Sequence, residues 1–170
     1  MTPPVIADGK VVFAPPDGDA LYCLNLRDGS QVWKVDRGGD DLYLAGVYAG
    51  VAVIVGKRRV KAYTLAKGEK AWEVETGEPS GFGTAGNNIY YLPLRAGAAS
   101  KAPEVCAIDV AKGKIVAHAE AREVNGKRDV PGNLVFVDGE VLSMSTSELV
   151  AFPLRKDGGK RQGTKESDKE

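Results

Sequence analysis

A motif that occurs three times at nearly even spacing constrains the fold of this chain more than any other feature. Each copy is an apolar stretch followed by a polar turn with a glycine, and the three glycines are Gly29, Gly68 and Gly113. Two copies carry a tryptophan four positions after the glycine, Trp33 and Trp72. Successive glycines lie 39 and 45 residues apart, which is the repeat length of four-stranded propeller blades.

Each repeat unit contains a second pair of strand-like runs upstream of the motif. Asp8-Gly9 and Asp138-Gly139 separate two apolar runs, and this dipeptide indicates a tight hairpin because glycine tolerates positive φ. A four-stranded sheet cannot bury both of its faces alone, so the units should stack face to face. We therefore predict an all-β fold, a β-propeller of four-stranded antiparallel blades with about four blades, which is a partial or half propeller.

The predicted propeller segment covers residues 1–154. We place its blades at about residues 4–38, 39–78, 79–124 and 130–154, and the last blade lacks an outer strand. The Gly/Ala/Ser-rich insertion from Arg95 to Pro103 accounts for the longer interval as a surface loop. Residues 155–170 are almost entirely polar, which predicts a disordered charged tail or linker.

Composition excludes several classes of function. The chain has 23 basic and 23 acidic residues, so its formal net charge is zero. It therefore lacks the net positive charge that would attract nucleic acid. No apolar stretch is long enough for a membrane helix, which argues against direct membrane insertion. The first residues show no signal-peptide pattern. Cys23 and Cys106 lie in apolar runs and are expected to be buried thiols rather than a disulfide.

After each apolar strand the repeated pattern has a small residue, a polar residue, a glycine and, in two copies, a tryptophan. This pattern resembles the pyrroloquinoline quinone (PQQ) repeat, also called the tryptophan-docking motif. The resemblance covers nearly all of the predicted propeller segment. It implies that Trp33 and Trp72 lock neighbouring blades together and that Gly29, Gly68 and Gly113 form tight turns. Ala117 occupies the tryptophan position of the third copy.

Within this superfamily the chain resembles the non-catalytic BamB-like branch more than the quinoprotein dehydrogenases. Those enzymes need a central calcium ion, a catalytic aspartate and commonly a disulfide between adjacent cysteines, whereas no two cysteines adjoin here. The resemblance implies a scaffold that binds a protein partner or self-associates through exposed blade faces. It implies no catalytic, cofactor or metal residues, and a periplasmic or cell-envelope location for the parent protein.

Two alternatives remain open. The chain could be a fragment of a quinone-dependent dehydrogenase. It could instead be a carbohydrate- or peptide-binding propeller with an aromatic channel, although such residues are more often core; the candidate aromatic residues are Tyr43, Tyr48, Phe82, Tyr90 and Phe136.

The remaining chemical motifs are interpreted as structural. His118 has no companion ligands at metal-binding spacing and is expected on a strand surface. The acidic groups Asp40-Asp41 and Glu73 to Glu75, and the basic turn Lys57 to Arg59, are expected to be solvated charges. The glycine-rich run from Gly81 to Gly86 precedes a strand rather than a helix, so it is interpreted as an innermost strand and not as a dinucleotide site.

Overall fold

The computed structural model describes residues 3–15, 17–121, 123–124, 127–144 and 149–153. These residues form strands, turns and bends, with no helix among them. Over the same residues, no helix is long and apolar enough to cross a membrane. The predicted all-β class is confirmed, and the predicted tail at 155–170 lies outside the described residues.

The first two sheets each contain four antiparallel strands in chain order. The strands of sheet 1 are β1 (Val5–Ala7), β2 (Lys10–Phe13), β3 (Ala20–Asn25) and β4 (Gln31–Asp36). The strands of sheet 2 are β5 (Asp41–Tyr48), β6 (Val51–Gly56), β7 (Arg59–Thr64) and β8 (Lys70–Glu75).

Sheet 3 has the same four-strand order with one additional strand. Its strands are β9 (Gly77–Pro79), β10 (Thr84–Gly86), β11 (Ile89–Gly97), β12 (Glu104–Asp109) and β13 (Lys114–Glu120), and β9 pairs with β11. Residues 77 and 78, which fall inside the expected second blade, therefore pair with sheet 3. The expected loop from Arg95 begins later, because Arg95 to Gly97 belong to β11.

A short hairpin separates sheet 3 from sheet 4. The hairpin consists of β14 (Glu123–Val124) and β15 (Lys127–Arg128). Sheet 4 shows three strands among the described residues, β16 (Asn133–Val137), β17 (Glu140–Met144) and β18 (Leu149–Pro153). The residues that follow β18 lie outside the described ones, so the absence of an outer strand in the last blade stays a prediction.

A two-residue turn with positive φ joins the first two strands of sheets 1, 2 and 4 and joins β10 to β11 in sheet 3. Asp8 and Gly9 have φ of 45° and 69°, and Asp138 and Gly139 have φ of 49° and 84°. The corresponding turns of sheets 2 and 3 are Ala49-Gly50 and Asn87-Asn88, and their φ values are also positive. Positive φ at both central residues is the signature of the type I′ hairpin turn, which matches the right-handed twist of paired strands.

Three hydrophobic cores lie between successive sheets. Val12, Leu21 and Cys23 of sheet 1 pack with Leu44 and Ile54 of sheet 2. Between sheets 2 and 3 the core consists of Val53, Val55, Val60, Ala62, Tyr90, Leu92, Leu94, Cys106, Ile108 and Val110. Between sheets 3 and 4 it consists of Tyr91, Val105, Ala107, Leu134 and Val141. Sheets 2 and 3 are thus buried on both faces, and the stack is a partial propeller.

Candidate interaction sites between and beyond the sheets

Trp33 joins sheet 1 to sheet 2. It lies on β4 with its side chain buried, and its indole N–H donates a hydrogen bond to the Leu65 carbonyl of sheet 2 at 2.9 Å. The ring lies against Gly68, where an added Cβ would come within 2.8 Å of the ring atom Cδ2. Gly68 has φ of +71°, so both its backbone and the tryptophan require a glycine there.

Trp72 makes the corresponding contact between sheets 2 and 3. Its indole N–H donates to the Val110 carbonyl at 2.8 Å. A Cβ on Gly113 would overlap the indole ring, and Gly113 also has positive φ, +64°. The same donor, acceptor and glycine therefore recur one sheet further along the stack.

The acceptor carbonyls are held by a repeated turn geometry. The Leu65 N–H donates to the Gly50 carbonyl at 2.8 Å, and the Val110 N–H donates to the Asn88 carbonyl at 3.0 Å. Each turn is thereby tied to the type I′ turn of its own sheet. This fixes the direction of the carbonyl that the indole meets.

Ala117 occupies the equivalent place on the third sheet. It pairs with Ala107, as Trp33 pairs with Cys23 and Trp72 with Ala62. A methyl group cannot donate a hydrogen bond, and Ala117 is exposed. Sheets 3 and 4 are joined by their shared core, in which Tyr91 stacks on Phe136 with ring centroids 6.1 Å apart.

The two ends of the stack leave apolar faces that no described residue covers. The apolar residues of the sheet 1 open face alternate with its core and are Ile6, Val11, Phe13, Tyr22, Leu24 and Val32. Lys34 lies on the same face, with its Nζ 5.6 Å from the centroid of the Tyr22 ring. The apolar residues of the sheet 4 open face are Val135, Val137, Leu142, Met144 and Leu149, and the exposed Glu140 pairs with Val137 on the same face. Within it, Met144 is 50% exposed and Leu149 is 65% exposed. Exposed contiguous apolar patches of this kind mark interaction surfaces.

The acidic residues expected to be solvated differ from one another. Asp40 is exposed and pairs with Lys57 at 3.0 Å, as expected for a surface charge. Asp41 is not solvated, because its side chain is 3% exposed and pairs with Lys61 at 2.8 Å. Burial alone would lower the pKa of Lys61, but the hydrogen bond and charge of Asp41 raise it above its ordinary value. The expectation of solvation was wrong for Asp41.

Other charges of this region also lie next to charges of opposite sign. Glu73 contacts Arg59 and Lys70, and the hydrogen bond from Arg59 is the main cause that lowers the pKa of the Glu73 carboxyl. Arg58 lines a small crevice together with Glu75 and Glu78. The basic turn thus faces carboxylates of its own chain.

A buried carboxylate next to His118 escaped the sequence reasoning. His118 lies half exposed on β13, and its Nδ1 is 2.8 Å from Oε1 of Glu104, whose side chain is 2% exposed. The other carboxylate oxygen of Glu104 accepts a hydrogen bond from the Ser100 hydroxyl at 2.8 Å. The sequence signal was a glutamate directly before the apolar run of the third motif. Over the described residues no cluster of three or more potential metal ligands occurs.

Four of the five candidate channel aromatics gather between sheets 2 and 3. Tyr90 is fully buried, and its hydroxyl is 3.3 Å from that of Tyr43. Tyr48 packs on Tyr90 and Phe82 packs on Tyr43. Burial raises the pKa of Tyr43 and raises that of Tyr90 well above its ordinary value. Phe136 lies apart, in the contact between sheets 3 and 4.

The glycine-rich run packs tightly instead of leaving room for a phosphate. Only Thr84–Gly86 of this run is a strand. The Gly83 N–H donates to the Tyr43 hydroxyl at 3.2 Å, and a Cβ on Gly86 would overlap the Phe136 ring. Close packing against two neighbouring sheets thus explains the small residues.

Both cysteines are free and buried, and they lie in different cores. Burial raises the pKa of the Cys106 thiol to about 12, and the nearby charge of Glu104 acts in the same direction. Burial also raises the pKa of Cys23. Both thiols are therefore held protonated at neutral pH.

Known proteins show the same architecture. The family model described as outer membrane protein assembly factor BamB matches residues 1–169. BamB from Moraxella catarrhalis has a TM-score of 0.58 at 17% identity, over 88% of this chain and 47% of that chain. The chain thus spans about half of that relative. No curated protein sequence matches the chain significantly.

Two further solved structures share the fold. The computationally designed Ika4 protein has a TM-score of 0.63 at 15% identity, over 89% of both chains. Quinohemoprotein alcohol dehydrogenase ADHIIG from Pseudomonas putida HK5 has a TM-score of 0.61 at 16% identity, over 82% of this chain and 27% of that chain. Identities this low establish likeness of fold alone. The family match to nearly the whole length shows that the chain belongs to the BamB-like family of PQQ-repeat propeller proteins.

Proposed function

We propose that the chain is a non-catalytic scaffold that binds protein through the open faces of sheets 1 and 4. The observation that carries this proposal is the contrast between interior and terminal faces. Every face between two sheets is a buried core, whereas the two end faces expose apolar side chains such as Ile6 and Leu149. Covering such a patch removes apolar surface from water, which favours association.

The family supports the same proposal. The matching family model is named for an outer membrane protein assembly factor, and this name describes a role in protein assembly. By this family resemblance we place the parent protein in the periplasm or cell envelope. A protein partner and a second copy of this chain are both compatible with two apolar faces.

Photo-crosslinking tests the role of the faces. The crosslinker p-benzoylphenylalanine would replace Val32 on the sheet 1 open face or Val135 on the sheet 4 open face, in cells that make the protein naturally. The matched control replaces Val116 of β13 in sheet 3, also a valine and somewhat more exposed than the two test positions. We expect adducts of defined mass from Val32 or Val135 and not from Val116. Adducts from all three positions alike, or from none, would reject the proposal.

A fragment of a quinone-dependent dehydrogenase is the second candidate. Its support is the fold that the chain shares with quinohemoprotein alcohol dehydrogenase ADHIIG. The chain spans about a quarter of the length of that enzyme. Thermal unfolding with and without added quinone and calcium distinguishes the two. A scaffold predicts an unchanged melting temperature, whereas a saturable upward shift would favour the dehydrogenase.

A further inference from the structure

We propose that a crevice where sheets 2 and 3 meet binds a small zwitterion with the size and charges of a free amino acid such as glycine. We call it the charged crevice, and the residues that matter in its lining are Arg58, Glu75, Gly77, Glu78, Gly97 and Lys101. It lies between sheets 2 and 3 and not on the open faces of sheets 1 and 4. The inference therefore goes beyond the proposed function and does not depend on it.

Three chain segments form the charged crevice, and backbone hydrogen bonds hold them together. The Arg58 carbonyl, in the turn between β6 and β7, accepts the Thr76 N–H at 3.0 Å and the Gly77 N–H at 3.3 Å. From the loop that follows β11, the Ala98 N–H donates to the Thr76 carbonyl at 3.0 Å. The walls are thus set before any ligand arrives, which lowers the entropy lost when a small ligand binds.

A buried carboxylate supports the wall that sheet 3 supplies. A Cβ on Gly97 would overlap the Glu104 carboxylate, so this part of the wall packs directly against it. Glu104 is held in turn by His118 and by the Ser100 hydroxyl, each at 2.8 Å. Ser100 belongs to the same loop as Lys101. The contact to Glu104 therefore fixes the loop that carries this cation.

The charged crevice is lined by two cations, Arg58 and Lys101, and by two carboxylates, Glu75 and Glu78. Among the described residues, Arg58, Lys101 and Glu75 take part in no ion pair. Glu78 has only a long contact of 3.7 Å with Arg95. Side chains of both signs are thus available to bind the carboxylate and the ammonium group of one ligand through charge-assisted hydrogen bonds.

The volume of the charged crevice restricts the ligand to a few atoms. It measures about 90 Å³. Since one water molecule takes up about 30 Å³ in the liquid, this space suits about three waters or one ligand of about five non-hydrogen atoms. Glycine has this size, whereas a peptide or a nucleotide is far too large.

A second observation, at Thr76, indicates a polar occupant in the same place. Thr76 lies between the lining residues Glu75 and Gly77, and it is fully buried. Its hydroxyl has no hydrogen-bond partner among the described residues. A buried hydroxyl without a partner costs free energy and is rare in native proteins. A polar ligand that reached this hydroxyl would remove that cost.

Titration with glycine tests the site. The full chain labelled with ¹⁵N would be titrated at constant pH and low ionic strength with glycine, with glycinamide, which has no carboxylate, and with acetate, which has no ammonium group. We expect saturable amide shifts confined to Arg58, Gly77, Ala98 and their neighbours, with a Kd of about 1 mM for so small a ligand. Glycinamide and acetate should each bind about tenfold more weakly, because each lacks one charged partner.

Variants of exposed residues locate the binding without disturbing the core. Arg58→Gln removes a lining cation and should weaken glycine binding about tenfold. Lys57→Gln is the matched control, because Lys57 is exposed in the same turn, pairs with Asp40 and does not line the charged crevice. It should leave the affinity unchanged. Glu75→Gln removes a lining carboxylate and should weaken binding as Arg58→Gln does.

Three results would overturn the inference. The first is acetate or glycinamide binding as tightly as glycine, since the site would then recognise a single charge. The second is an equal effect of Arg58→Gln and Lys57→Gln, since binding would then not involve the lining of the charged crevice. The third is the absence of saturable shifts up to the solubility limit of glycine.

Discussion

Trp33 and Trp72 each combine ring packing with one hydrogen bond across a sheet boundary. We expect Trp33→Ala and Trp72→Ala each to lower the free energy of unfolding by about 3–5 kcal/mol, the range for buried tryptophan truncations. The loss at Trp33 should be the larger, because Trp33 is buried and Trp72 is only partly buried. Urea denaturation followed by circular dichroism measures both. Losses near zero at both positions would refute their role in holding the sheets together.

Asp41 and Asp40 offer a matched pair of adjacent carboxylates. Asp41→Asn should destabilise the protein by about 1–3 kcal/mol, because it leaves the partly buried ammonium of Lys61 without its counter-charge. Asp40→Asn should change nothing measurable, since Asp40 and its partner Lys57 are both largely exposed. Denaturant unfolding of both variants gives the comparison. Equal effects would contradict the assigned difference in burial.

Cys106 makes stability depend on pH in the alkaline range. Its pKa is raised from 9.0 to about 12 in the folded chain, so the folded state retains a proton that the unfolded chain loses. This contribution is complete below pH 9 and declines as pH rises toward the folded pKa. Relative to Cys106→Ala, the free energy of unfolding of the wild type should fall by about 1 kcal/mol per pH unit above pH 9. A difference that stays constant from pH 7 to about pH 11 would contradict the raised pKa.

At the scale of the element, the turns with glycine have two different requirements. Gly113 needs both positive φ and the absence of a Cβ, because Trp72 occupies that space. Gly139 needs only positive φ. Gly113→Ala should therefore destabilise the chain by about 2 kcal/mol or more, and Gly139→Ala by about 1 kcal/mol. Thermal unfolding of the two variants provides the measurement, and equal losses would show that the indole does not press on Gly113.

The elements that sequence predicted best are those that short-range chemistry determines. Asp8-Gly9 and Asp138-Gly139 form the predicted turns because positive φ is a local requirement. The contact between Glu104 and His118 was missed because it depends on the register of β12 and β13. The burial of Asp41 was missed for the same reason, since Lys61 lies on a different strand. Pairing across strands is not visible in the spacing of one segment.

At the scale of the whole molecule, the repeat period predicted stacked four-stranded sheets, and the structure confirms a partial propeller. The motif also indicated which residues would lie near the sheet boundaries. It did not show the charged crevice, because three separate segments of sheets 2 and 3 form it. The open end faces are the feature from which the proposed function follows.

The solution mass of the purified chain, measured by light scattering over a range of concentrations, tests the open faces most directly. The account predicts a mass that rises above 18.0 kDa with concentration. The substitutions Val135→Lys and Met144→Lys on the sheet 4 open face should suppress this rise in mass. Val116→Lys on sheet 3 should not suppress it. A chain that stays at 18.0 kDa at every concentration and does not bind a hydrophobic dye would contradict the claim that these faces are available for association.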